Sequence, residues 1–133
     1  MVTCLPIEII SKTSSMTSLP EITAKIRAFR DARDWAQFHN PKDMAIAISL
    51  ESAELLEHFL WKNPDEVASR VTSHLDEITD EIADIAIYLT ELADNLGIDL
   101  LQAMDAKLAK NDAKYPAAKV SGSSKKYTEY PEA

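Results

Sequence analysis

Glu51, Glu54, Glu81 and Asp84 are the residues of this chain whose type and spacing could do chemistry. The first pair frames the stretch ESAE and the second frames EIAD. Residues three apart on a helix share a face, so each stretch can present two carboxylates together. On a helical wheel at about 100° per residue, Glu51 falls inside the apolar stripe of Met44, Ile48, Leu55 and Phe59, with Glu54 at its edge. Glu81 flanks a second apolar seam, Asp84 is its i+3 neighbour, and Tyr88 continues the same line. An ionised carboxylate turned toward a core costs several kcal/mol unless it is paired, protonated or metal-bound. No basic residue stands at i±3 or i±4 of Glu51. A cation is the natural partner, and an all-oxygen ligand set without a Cys/His group selects Mg²⁺, with Mn²⁺ as the alternative. Glu54–Glu57 and Glu77–Asp80 repeat the spacing, but Glu57 and Asp80 point away from the apolar stripes and read as solvated. His58 lacks the Glu-x-x-His repeat of di-iron bundles and reads as structural or exposed.

The elements that must position these groups are helices. With 2 glycines among 133 residues and many Ala, Leu, Ile, Glu and Asp, the composition predicts an all-α fold with short connections. Ser18-Leu-Pro-Glu21 is a capping-box pattern with proline in the first turn. It predicts a helix with Ile22, Ile26, Phe29 and Ala36 on its apolar face, ended by Asn40-Pro41. Asn40 then caps a second helix running to about Trp61. Asn63-Pro64-Asp65-Glu66 starts a third, whose apolar residues Val71, Leu75, Ile78, Ile82, Ile85, Leu89, Leu92 and Leu96 advance in alternating steps of 4 and 3 toward a Gly97 cap. Asp99-Leu-Leu-Gln102 opens a fourth, which Pro116 closes. The predicted architecture is a four-helix bundle over residues 18–116, preceded by a poorly ordered extension (1–17) and followed by an extended polar tail (117–133). Two long, strongly apolar helices suggest a core completed by oligomerisation.

Charge and composition narrow the partners. A net charge of −8 argues against nucleic acid bound through a basic face. It leaves a phosphate substrate open, because a divalent cation inverts the local field. The lone Cys4 suits a reducing cytoplasm. No apolar run approaches the roughly 20 residues that a membrane-spanning helix needs, and the first residues lack the basic start of a signal peptide. The expectation is a cytoplasmic protein with no membrane partner.

ESAE followed by EIAD after a gap of 26 residues resembles the E-x-x-E…E-x-x-D signature of MazG-like, all-α nucleoside triphosphate pyrophosphohydrolases. The surroundings RDWAQFHNPKDMAIAISLESAELLEHFLWK, DEIADIAIYL, KNDAKYP and SSKKYTE, in that order, resemble the dCTP pyrophosphatase branch, roughly from Thr23 to Tyr127. The resemblance implies that Glu51, Glu54, Glu81 and Asp84 are the metal-binding and catalytic carboxylates. It implies that Trp35, Phe38, His39 and Trp61 line a base pocket and that Tyr88, Lys107 and Asn111 face the nucleotide. It further implies a MazG-type fold, cleavage between the α- and β-phosphates, and dimers or dimer-of-dimers tetramers with sites completed across subunits. The residues fit that chemistry: carboxylates holding Mg²⁺ neutralise phosphate charge and place a water, and Glu54 or Glu81 could accept its proton. Two other readings stay open at this level: a helical oligomerisation module without chemistry, and a related hydrolase preferring dUTP or a modified base.

Overall fold

A computed structural model describes residues 16–130. The expectations placed on residues 1–15, Cys4 among them, lie outside the described residues. Among the described residues the fold is all-helical: α1 (Leu19–Asp31), α2 (Pro41–Glu57), α3 (Pro64–Ser73), α4 (Leu75–Asn95), α5 (Leu100–Lys114) and α6 (Ala117–Val120), with 3-10 turns at Ala36–Phe38 and Tyr127–Glu129.

The caps read from the sequence are formed. Ser18 Oγ accepts from the Glu21 amide while the Glu21 carboxylate accepts from the Ser18 amide at 2.7 Å. Asn63 and Glu66 make the same reciprocal pair at the start of α3. Asn40 and Asp99 cap α2 and α5. Gly97, at φ 66°, closes α4. Its amide donates to Asp94 O and that of Ile98 donates to Ala93 O, the paired bonds of a Schellman turn.

Three predicted helices differ in extent from those observed; the second stops at Glu57 rather than about Trp61, which itself turns through the left-handed region at φ 59°. The first stops at Asp31 rather than running to Asn40. Asp34 turns through the left-handed region at φ 53°, where a short polar side chain is tolerated, and the Trp35 amide closes the bend on Arg30 O. The third predicted helix is two, broken at His74 (φ −131°, ψ 34°). The hydroxyls of Thr72 and Ser73 bond to the carbonyls of Ala68 and Ser69, and Ser73 Oγ also lies 2.6 Å from His74 Nδ1. Side chains that satisfy the backbone locally weaken a helix at that point. Arg70 then lies 3.0 Å from the buried His58 ring, tying α3 to the end of α2.

The core is small and centred on α4, against which α2 packs most extensively, followed by α1. On α2 the buried edge runs Met44, Ile48, Glu51, Leu55, His58. The apolar seam of α4 divides into two sets seven residues apart. Ile78, Ile85 and Leu92 are buried or half-buried, while Leu75, Ile82, Leu89 and Leu96 are exposed. One set completes the core of this chain and the other is left outside it. The segment after Pro116, read as extended, carries α6 and folds back: Tyr127 meets Tyr115 edge to face at 5.9 Å, with Lys114 Nζ 5.0 Å from the Tyr127 ring.

Candidate active site

α2 and α4 bring three of the four predicted carboxylates together. One oxygen each of Glu51, Glu81 and Asp84 lie within 4.8 Å of one another, close enough to hold one metal ion. Burial pushes the Glu51 carboxyl above its ordinary pKa, and the charges of Glu54, Asp84 and Glu81 add to the effect. Burial, then Glu54 and Asp84, push Glu81 the same way. No lysine or arginine offsets the charge on either group among the described residues. His58 opposes the rise at Glu81 in part, and the cluster fits a hard divalent cation: oxygen donors only, converging, with no lysine or arginine beside them. Glu54 is exposed and borders the trio through its charge rather than sharing that oxygen cluster.

Glu51 and Asp84 also line a cavity of about 590 Å³ between α1, α2 and α4. Its walls include Ile26 and Phe29 from α1, Trp35 and His39 from the bend after α1, and Ile87, Tyr88 and Glu91 from α4. The rings make a connected series. Phe29 and Trp35 meet edge to face at 5.9 Å, Trp35 and His39 lie 6.2 Å apart, and His39 and Tyr88 lie 6.4 Å apart. Burial raises the pKa of the Tyr88 hydroxyl, with the charges of Glu51, Asp84 and Glu91 acting in the same direction. Tyr88 is thus held as a neutral donor beside the carboxylates. The early end of α1 matters here, because the turn through Asp34 is what folds Trp35 and His39 over the cavity.

Of the residues singled out in the sequence, Trp35, His39, Glu51, Asp84 and Tyr88 meet at this cavity, with Glu81 at its carboxylate end. Phe38 (60% exposed) and Trp61 (94% exposed, φ 59°) do not line it. Neither do Lys107 and Asn111 on α5. Sequence reasoning missed Lys25, Ile26, Phe29, Arg30, Ile87 and Glu91 as lining residues. Glu91 was within reach of the same logic, since Glu81, Asp84, Tyr88 and Glu91 advance in steps of 3, 4 and 3 along one face of α4. Arg30 carried no comparable signal.

Comparison with known proteins defines the class. The MazG-like family pattern matches residues 46–130, and the chain belongs to that family. It is 37% identical over 120 residues to dCTP pyrophosphatase 1 of Bos taurus, covering 89% of this chain and 71% of that protein. It is 36% identical over 116 residues to the Homo sapiens dCTP pyrophosphatase 1, covering 86% and 68%. The crystal structure of a pyrophosphatase from Archaeoglobus fulgidus superposes with a TM-score of 0.71 at 41% identity, covering 74% of this chain and 92% of the other. The protein is a nucleotide pyrophosphohydrolase with a MazG-type helical fold.

Proposed function

We propose that this enzyme hydrolyses dCTP, or a closely related deoxynucleoside triphosphate, between the α- and β-phosphates, with Mg²⁺ as cofactor and a nucleoside monophosphate and pyrophosphate as products. The observation that carries the reading is the convergence of Glu51, Glu81 and Asp84 at one end of a cavity walled by aromatic rings. Kinship with proteins named dCTP pyrophosphatase supports the choice of substrate.

Glu51, Glu81 and Asp84 would hold the ion, with Glu54 beside them. When bound, a divalent cation there neutralises phosphate charge and makes a neighbouring water easier to deprotonate. Glu54, exposed at the edge of the trio, can take the proton of the attacking water on a carboxylate oxygen. Tyr88 Oη can donate to the substrate from the neutral state that its surroundings favour. The rings of Phe29, Trp35 and His39 offer apolar faces on which a base can stack and from which water is displaced. The acidic net charge of −8 suits a free nucleotide brought in with its counter-ion better than a polymer held by its phosphates.

The same reading includes assembly as a homodimer or a dimer of dimers. Leu75, Ile82, Leu89, Leu101, Met104 and Leu108 are all exposed on this chain. A second copy covering them could also bring Phe38, Trp61, Lys107 and Asn111 toward a shared site.

Incubation with each deoxynucleoside triphosphate and Mg²⁺, followed by separation of products, tests the reaction. Pyrophosphate and a monophosphate are expected, fastest from dCTP. Orthophosphate and a diphosphate would overturn the assigned bond. A faster reaction with dUTP would move the substrate assignment while leaving the carboxylate chemistry in place.

A further inference from the structure

Glu91 has no part in the chemistry above, yet it is 3% exposed and lines the same cavity. It sits seven positions beyond Asp84 on α4, about 10 Å further along at ~1.5 Å per residue. A nucleotide whose phosphates meet Glu51, Glu81 and Asp84 would therefore place its base toward Glu91.

The environment of Glu91 is uneven. His39 Nδ1 lies 2.6 Å from Oε1, and Arg30 Nη1 lies 3.6 Å from that same oxygen. A carboxylate oxygen can only accept, so the proton of this contact belongs to His39 Nδ1. Arg30 is held in turn by Asp31 Oδ1 at 2.8 Å and Asn95 Oδ1 at 2.9 Å. Oε2 has no hydrogen-bond partner among the described residues. A carboxylate gripped on one oxygen, with the other free of protein hydrogen bonds but not sealed from solvent, stands on a cavity whose wall includes Phe29, Trp35 and Ile87. Such an oxygen is free to accept an N–H donor from whatever fills the cavity.

We infer that Glu91 Oε2 is the acceptor that selects a base carrying an exocyclic amino group, the 4-amino group of cytosine in the nucleotide reading above, with His39 and Arg30 as positioning residues. This rests on that reading and adds the residue that would set its base preference. Cytosine brings an N–H of its 4-amino group to the free carboxylate oxygen. Uracil offers a single donor at N3, flanked by two carbonyl oxygens whose lone pairs would be pressed against a buried carboxylate. The selection is therefore attractive toward the amino base and repulsive toward the oxo base.

The experiment measures kcat/KM for pyrophosphate release, with Mg²⁺, by the full-length native protein. The substrates are dCTP, dUTP and the 2-pyrimidinone deoxynucleoside triphosphate, which is dCTP without its 4-amino group. Native protein should favour dCTP over the other two by on the order of 10- to 100-fold, carried mainly in KM. Glu91→Gln preserves shape, and the His39 Nδ1–H holds the amide oxygen, so the NH₂ group faces the cavity and the acceptor becomes a donor. The dCTP/dUTP ratio should then fall at least tenfold, with dUTP hydrolysis retained. Equal native rates on dCTP and the 2-pyrimidinone analogue, or an unchanged ratio in Glu91→Gln, would overturn the inference, and the analogue comparison needs no variant to fold. Pyrophosphate release without amino preference defeats this inference alone. Absence of pyrophosphate from every substrate defeats the nucleotide reading and this inference with it.

Discussion

Glu51 and Glu91 are both carboxylates on one cavity, and their neighbours give them opposite characters. Glu51 stands among acids that raise its pKa, whereas Glu91 is gripped by an imidazole and approached by a guanidinium. If Glu51 is a metal ligand, Mg²⁺ at a hundredfold excess over its Kd should stabilise the native protein by about 2.7 kcal/mol. Thermal melts should show most of that rise lost in Glu51→Gln, with helicity by circular dichroism unchanged. Away from the site, Asp94 lies on α4 with Arg27 of α1 donating to both its oxygens, 2.6 Å from Nε, and these bonds hold the Asp94 carboxyl below its ordinary value of 3.8. A lowered folded-state pKa means the pair stabilises fully above that ordinary value and loses its contribution as pH falls through the lower one. Asp94→Asn should therefore depress the melting temperature at pH 7, and the gap from native should close in acid. Glu51 was legible in the sequence because its misfit is local: an acid inside an apolar stripe. For Glu91 only the helical face was legible; its pairing was not, because His39 lies 52 positions away along the chain.

Elements were legible where their signals are short-range. The Ser18, Asn40, Asn63 and Asp99 starts and the Gly97 stop each depend on bonds spanning a few residues, and each forms as read. The breaks at Asp31 and His74 were harder to see. Neither carries proline or glycine, and the seam from Val71 to Leu96 keeps its apolar spacing straight through His74. Periodicity reports which face is apolar; it does not report a local competition for backbone carbonyls. Gly97→Ala isolates the cost of the cap. An added Cβ would meet nothing within 4 Å, so only the left-handed backbone is penalised, by about 1–2 kcal/mol. Chemical denaturation should show that loss with an unchanged slope.

At the scale of the whole molecule, the buried apolar residues are few, Ile26, Met44, Ile78 and Ala93 among those described, and of these only Met44 is fully buried. A chain that leaves Leu75, Ile82, Leu89 and Leu96 exposed along one edge of its central helix has a face suited to a second copy. Leu89→Lys should lower the mass seen by sedimentation to that of one chain while helicity persists; an unchanged mass would assign the interface elsewhere. Among the described residues no helix is long and apolar enough to cross a membrane. The straight run of α4 has a consequence of its own. Glu81, Asp84, Tyr88 and Glu91 are fixed to one rigid rod, so in the proposed reading the gap between its acidic end and its far end would gauge substrate length. Exchanging the side chain at the far end would change what is measured and leave the gauge intact. Inserting a single residue between Asp84 and Tyr88 would swing the two ends apart by about 100°, so recognition and turnover would fail together.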